Sequence, residues 1–184
     1  MKPDAEGVFR HRLSEMLPRL SRFALGLTRS RAEADDLILS ACERALGRIE
    51  QWDPGTRLDS WMFRIMQTIW FNELRARRVR QKHSEEQQDL PEAVENGEQL
   101  AEMRVLLGRV EQEIFQLPEE QRVVLMLVCI EGMTYAEAAE AASIPVGTVM
   151  SRLARARLGL MQRLAENDSL PRDNVIRLVS KWHD

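Results

Sequence analysis

The stretch Thr134–Arg157, TYAEAAEAASIPVGTVMSRLARAR, decides how this chain is read. Thr134 and Glu137 make the T-x-x-E pattern of a capping box, which opens a short helix to about Ala142. Ser143-Ile144-Pro145 predicts a tight turn, and a longer helix follows over about 146–165. Short helix, turn and longer helix make a helix-turn-helix. Ala139 is small where two such helices cross, and Ile144 and Val149 supply the apolar contacts between them. The second helix opens with Val146-Gly147-Thr148, whose free N–H groups and small side chains let a phosphate approach. Thr148, Ser151 and Arg155 then share one face. Such a face can enter the major groove of B-DNA, where arginine reads guanine. The plainer alternative is a helical hairpin with its arginines turned to water.

Outward from this stretch the whole chain reads as helix, because alternating strand patterns are missing and Pro and Gly fall between periodic segments. Phe9, Leu13, Leu17, Leu20, Phe23, Ala24 and Leu27 predict one helix, with a bend near Pro18. Ser30 and Glu33 form another capping-box pattern before an amphipathic helix over 31–50. Asp53-Pro54-Gly55-Thr56 is a turn, followed by a helix from about Leu58 to Arg80. Residues 83–98 have few apolar groups and predict a flexible linker. Helix resumes over about 99–116, and the very apolar helix 119–131 predicts the centre of a second core, with Gly132 just past its end. The expected fold is all-α, with two small helical bundles joined by a flexible acidic linker, the second bundle containing the helix-turn-helix. The expected boundaries are 1–82, 83–98 for the linker, 99–168, and an amphipathic tail over 169–184 carrying Val175, Ile176, Leu178, Val179 and Trp182. Two uses of the tail stay open: a cover for the second bundle, or a docking site for a regulator.

The net charge of −3 over 184 residues argues at face value against nucleic-acid binding. Its distribution reverses that inference. Residues 1–83 carry 16 basic and 11 acidic groups, residues 84–120 carry 2 and 11, and residues 121–184 carry 8 and 7. Basic groups concentrate further in Arg75, Arg77, Arg78, Arg80 and Lys82, and in Arg152, Arg155, Arg157 and Arg163, with no acid between 141 and 165. No apolar run is long enough to cross a bilayer, and the start MKPDAEGVFRHR has no apolar core of a secretory signal. Cys42 and Cys129 are far apart and fit a reducing cytoplasm as buried thiols. His11, His83 and His183 are scattered, so no metal site is expected, and no catalytic set or cofactor motif is present in the pattern.

The helix from Leu58 offers a second kind of contact. Trp61, Phe63, Trp70 and Phe71 are interleaved with Arg64, Asn72 and Arg75. Aromatics beside arginine stack exposed bases and hold phosphates in single-strand binding, although core packing is the ordinary use of any one of them.

With these residues in view, the chain resembles an extracytoplasmic-function (ECF) sigma factor, the small two-domain class of bacterial RNA polymerase sigma subunits. The resemblance spans about residues 9–165. It rests on RFALGLTRSRAEADDL, on WDPGTRLDSWMFRI with NELRARR, and on LPEEQRVVLMLVCIEGMTYAEAAEAASIPVGTVMSRLARAR. It implies that the first bundle recognises and melts the −10 element, with Trp61, Arg64, Thr68, Asn72, Arg75, Arg77 and Arg78 along the helix that holds the non-template strand. It implies that the helix with Asp35, Asp36, Leu37, Leu39 and Ser40 docks on the β′ clamp helices of core polymerase. The second bundle would read the −35 element through Val146, Gly147, Thr148, Met150, Ser151, Arg152 and Arg155. Polymerase core, promoter DNA and an anti-sigma factor are the implied partners, without membrane insertion, and the protein itself is not an enzyme. Four positions depart from the family pattern: Leu39-Ser40 replace Gln-Glu, Thr68 replaces Asn, Ser143 replaces Gly in the turn, and Met150 replaces a cation. Two other functions remain open at this point: a stand-alone helix-turn-helix regulator, and a sigma-like decoy that titrates an anti-sigma factor.

Overall fold

The computed structural model describes residues 3–81 and 98–166. The expected linker, apart from Glu98, and the expected tail lie outside the described residues.

Helix α1 (Pro3–Thr28) runs through Pro18 without a break. It buries Phe9, Leu13, Leu20, Phe23, Ala24 and Leu27, whereas Leu17, expected on the same face, is exposed. The helix ends at Arg29, which takes a left-handed conformation (φ 64). Its N–H donates to Leu25 O at 3.1 Å. Helix α2 (Arg31–Leu46) starts at Ser30, whose hydroxyl accepts from Glu33 N–H. The reciprocal half of the expected capping box gives way to a different contact, because the Glu33 carboxylate lies 3.0 Å from Arg77. A 3-10 turn (Ile49–Gln51) and the Asp53 turn, in which Gly55 N–H donates to Asp53 Oδ1 at 2.9 Å, lead to α3 (Leu58–Gln81).

The first core forms where these three helices meet. Phe9 meets Trp52 edge to face at 5.3 Å, and Phe23 meets Phe63 at 4.7 Å. Met62, Phe63 and Met66 are fully buried. Asp59 lies at the start of α3, and its side chain is only 10% exposed. Burial pushes its carboxyl up, but hydrogen bonds from Arg57, from Ser60 N–H and from Arg19 outweigh that and hold it down to about 2. A folded value below the unfolded one gives stability that is present above about pH 4 and lost as pH falls through about 2. The expected contribution at neutral pH is roughly 2 kcal/mol. Denaturant unfolding from pH 6 to pH 2 should show it, and Asp59→Asn should flatten that dependence. An equally steep acid loss in the variant would assign it to other groups.

In the second part, α4 (Glu98–Phe115) leads through Leu117-Pro118 to α5 (Glu119–Leu125). The expected single helix over 119–131 is not α-helical throughout: Met126–Ile130 wind as a π turn. Glu131 N–H accordingly reaches back five residues to Met126 O at 2.9 Å. Gly132 then reverses the chain at φ 67. Helices α6 (Tyr135–Ala142) and α7 (Val146–Glu166) complete the bundle. Val149, Leu153, Ala156, Leu160 and Leu164 are buried at three- and four-residue spacing along α7.

The two bundles pack against each other, and one hydrophobic core runs through both. Helix α6 lies against α3, and α5 with its π turn lies against α1. All the described secondary structure is helical.

Candidate nucleic-acid interface

The helix-turn-helix forms as its residues dictate. Both halves of the Thr134 capping box are made: Glu137 N–H donates to Thr134 Oγ1, and Thr134 N–H donates to Glu137 Oε2 at 2.8 Å. Ser143 ends α6 in the left-handed region at φ 54, ψ 43, where the family pattern has glycine. Ile144 N–H then closes back onto Ala139 O at 3.1 Å, which fixes the turn. Pro145 O accepts from Thr148 and Val149 and starts α7.

The exposed side of α7 carries Val146, Gly147, Met150, Ser151, Ala154 and Arg155. Thr148 is half-buried beside them. Arg155 folds over its own helix, donating from Nε to Ser151 O at 3.1 Å and from a terminal nitrogen to Ser151 Oγ at 3.4 Å. Arg152 is turned aside to Glu120 of α5. Arg157 reaches the Cys129 thiol at 3.8 Å. The basic run seen in the sequence thus divides. Arg155 remains on the exposed side, while Arg152 and Arg157 face their own bundle. Burial pushes the thiols of Cys42 and Cys129 up, and for Cys129 the nearby Arg157 opposes the shift.

On α3 the residues Arg64, Thr68, Asn72 and Arg75 are all exposed at spacings of four, four and three, which makes one continuous stripe. The Thr68 hydroxyl donates to Arg64 O at 2.8 Å. The aromatics do not join this stripe fully. Phe63 and Trp70 are buried, and Trp61 is half-buried against Phe9 at 6.1 Å. Arg77 lies over the Trp70 ring at 5.5 Å and pairs with Glu33, so it braces α3 against α2. Arg78 pairs with Glu119 of the second bundle at 3.1 Å. On α2, Asp35, Asp36 and Leu39 are exposed, and Ser40 lines a shallow hollow with Glu43, Arg44, Gly47 and Arg48. Leu37 does not belong to that surface: at 1% exposure its side chain packs inward and holds α2 in the core.

Sequence reasoning missed one set of residues. The carbonyls that end α6 are met from the other bundle: Arg64 donates to Glu140 O at 2.6 Å, and Gln67, itself buried, donates to Ala141 O at 3.4 Å. A helix C-terminus carries unpaired carbonyls and partial negative charge, so a cation there is favourable. Nothing in the spacing of α3 marks this use, because the partner lies more than seventy residues away.

Comparison with known proteins shows the family of the chain. The sigma-70, region 4 family matches residues 107–160, which include α6 and most of α7. The Sigma2 domain of PhyR matches residues 13–67. The chain is 31% identical over 169 residues to the ECF RNA polymerase sigma factor EcfG of Rhodopseudomonas palustris, spanning 89% of this chain and 90% of that one. It is 33% identical over 137 residues to the ECF RNA polymerase sigma factor SigC of Mycobacterium tuberculosis, spanning 74% of this chain and 72% of that one. Its fold is similar to that of the sigma factor RpoE solved in complex with the anti-sigma factor NepR from Bartonella quintana. The TM-score is 0.69 at 25% identity, covering 85% of this chain and 96% of that one. The chain belongs to the ECF RNA polymerase sigma factors.

Proposed function

We propose that this sigma factor directs promoter-specific initiation by dividing the work between its two bundles. Asp35, Asp36, Leu39 and Ser40 of α2 dock on core polymerase. Arg64, Thr68, Asn72 and Arg75 of α3 hold the separated −10 strand, with Trp61 at the end of the stripe as the stacking ring and Arg77 and Arg78 as phosphate contacts after they leave Glu33 and Glu119. Helix α7 enters the major groove at the −35 element through Val146, Gly147, Thr148, Met150, Ser151 and Arg155, with Arg152 on a flanking phosphate. An anti-sigma factor controls the free protein. The observation that carries this reading is the continuous exposed stripe on α3, which a simple duplex-binding regulator has no use for.

The test combines the purified chain with core polymerase and a promoter library, followed by sequencing of the transcripts. Starts at promoters sharing −10 and −35 elements are the expected result. Duplex binding without initiation would indicate a stand-alone regulator. Neither activity would indicate a decoy, the weaker alternative, with which the PhyR-domain match over 13–67 is compatible.

Met150 gives a sharper test of α7. It is 52% exposed on the groove-facing side, where its apolar end suits a thymine methyl group. Met150→Arg adds a cation and should tighten −35 duplex binding while steepening the log–log salt dependence by about 0.9. Anisotropy titrations across a salt series measure it, and an unchanged slope would remove Met150 from the DNA face.

A further inference from the structure

Cations gather where the end of α1 and the end of α3 meet the start of α5. Arg122 of α5 is only 7% exposed. One of its terminal nitrogens donates at 3.0 Å to Phe115 O, the last residue of α4. Its Nε is buried and meets no acceptor among the described residues. Burying a guanidinium is costly unless its charge and its N–H groups are met. A second cation crowds it. Arg29 lies over the Phe115 ring at 4.8 Å, and Arg122 lies over the same ring at 5.2 Å. Arg29 reaches this place from a left-handed backbone (φ 64), which residues with side chains rarely adopt. Burial pushes the Arg122 pKa down; Glu119 opposes that shift, and Arg29 adds to it. Glu119 is itself taken by Arg78 of α3 at 3.1 Å. Three guanidinium groups thus surround one carboxylate, an excess of two positive charges.

We propose that this seam binds a phosphoryl dianion, either inorganic phosphate or the terminal phosphate of a small phosphorylated ligand. Such a group carries close to two negative charges at neutral pH, which matches the excess. Guanidinium forks suit its oxygens, and the spare Arg122 N–H is a donor already out of water. A carboxylate fits less well, because its single charge leaves the cluster positive. A nucleic-acid backbone also fits less well. Each of its diesters carries one charge and is flanked by nucleotides, and Arg122 is too buried to meet it. Arg29 and Arg122 have no part in the promoter contacts proposed above, so the site stands apart from that reading.

Calorimetric titration of the full chain with inorganic phosphate, against sodium chloride at the same ionic strength, tests the site. Saturable binding of one phosphate per chain, with a rise in unfolding temperature, is the expected result. Arg29→Gly removes a cation and relaxes the left-handed backbone, so helix content by circular dichroism should hold. Phosphate binding by this variant should weaken about tenfold, the loss of one charge-assisted hydrogen bond. Glu119→Gln removes the competing carboxylate and should tighten binding about fourfold. Arginines that only brace the fold would give no such gain. Absence of binding, or binding that neither substitution alters, would overturn the proposal. Affinity for a short single-stranded DNA without terminal phosphates should be the same in Arg29→Gly as in the unsubstituted chain. An equal loss of strand and phosphate affinity would assign the seam to the nucleic-acid backbone and overturn a small-ligand site.

Discussion

Replacing Phe63 by alanine should lower the unfolding free energy by about 3–5 kcal/mol, the range for removing a fully buried aromatic ring. The ring has no exposed surface and packs against Phe23 at 4.7 Å with the planes tilted by 56°. Arg19 lies over it at 5.7 Å, and the same Arg19 holds Glu131 and Asp59. Truncation therefore removes apolar burial and also the surface on which the half-buried Arg19 rests. Thermal unfolding followed by circular dichroism should show a fall of roughly 6–20 °C for a chain of this size. Phe63→Leu, which retains most of the volume, should lose much less. A loss below about 1 kcal/mol for Phe63→Ala would mean that the ring is not part of a packed core.

The largest expected effect on DNA recognition belongs to Arg155. It stands on the exposed side of α7, already aligned beside Ser151 by two hydrogen bonds within the helix. In the proposed reading the guanidinium leaves Ser151 to meet guanine O6 and N7 together, which an ammonium does not reproduce. Arg155→Ala should weaken −35 duplex binding by about 1–3 kcal/mol, roughly 5- to 150-fold, and relax base preference at one position. Arg155→Lys should restore part of the affinity and little of the preference. Anisotropy against duplexes varied one base at a time separates these outcomes. A uniform loss across all sequences would assign Arg155 to a phosphate instead. Arg152→Ala provides the contrast within the same run. Its side chain pairs with Glu120, so the predicted loss is smaller and independent of sequence.

The charge pattern shows how far sequence reasoning carries. The basic character of residues 1–83 pointed to nucleic acid, and Arg64 and Arg75 do stand exposed on one stripe of α3. Yet Arg19, Arg22, Arg57 and Arg78 face acidic side chains of the second bundle, and Arg77 faces Glu33 within the first. A run of arginines in a sequence has no direction. Direction comes from the helix rotation that burial imposes, and the partner comes from the packing of distant helices. The same reason explains Leu37, which sits beside the exposed Asp36 in sequence and points the opposite way on α2.

By itself the sequence determined the local elements and the family. Periodicity, the Thr134 cap and the Pro and Gly breaks are written in neighbouring residues, so the helices follow closely, as does the helix-turn-helix. Only the tertiary structure decided what joins the bundles. The π turn before Glu131, the seat of Met126 over Gly26 and the capping of α6 by Arg64 and Gln67 each depend on groups far apart along the chain. Their stability comes from burial and charge pairing across an interface. Those quantities exist only once two helical surfaces have met, and no local pattern encodes them.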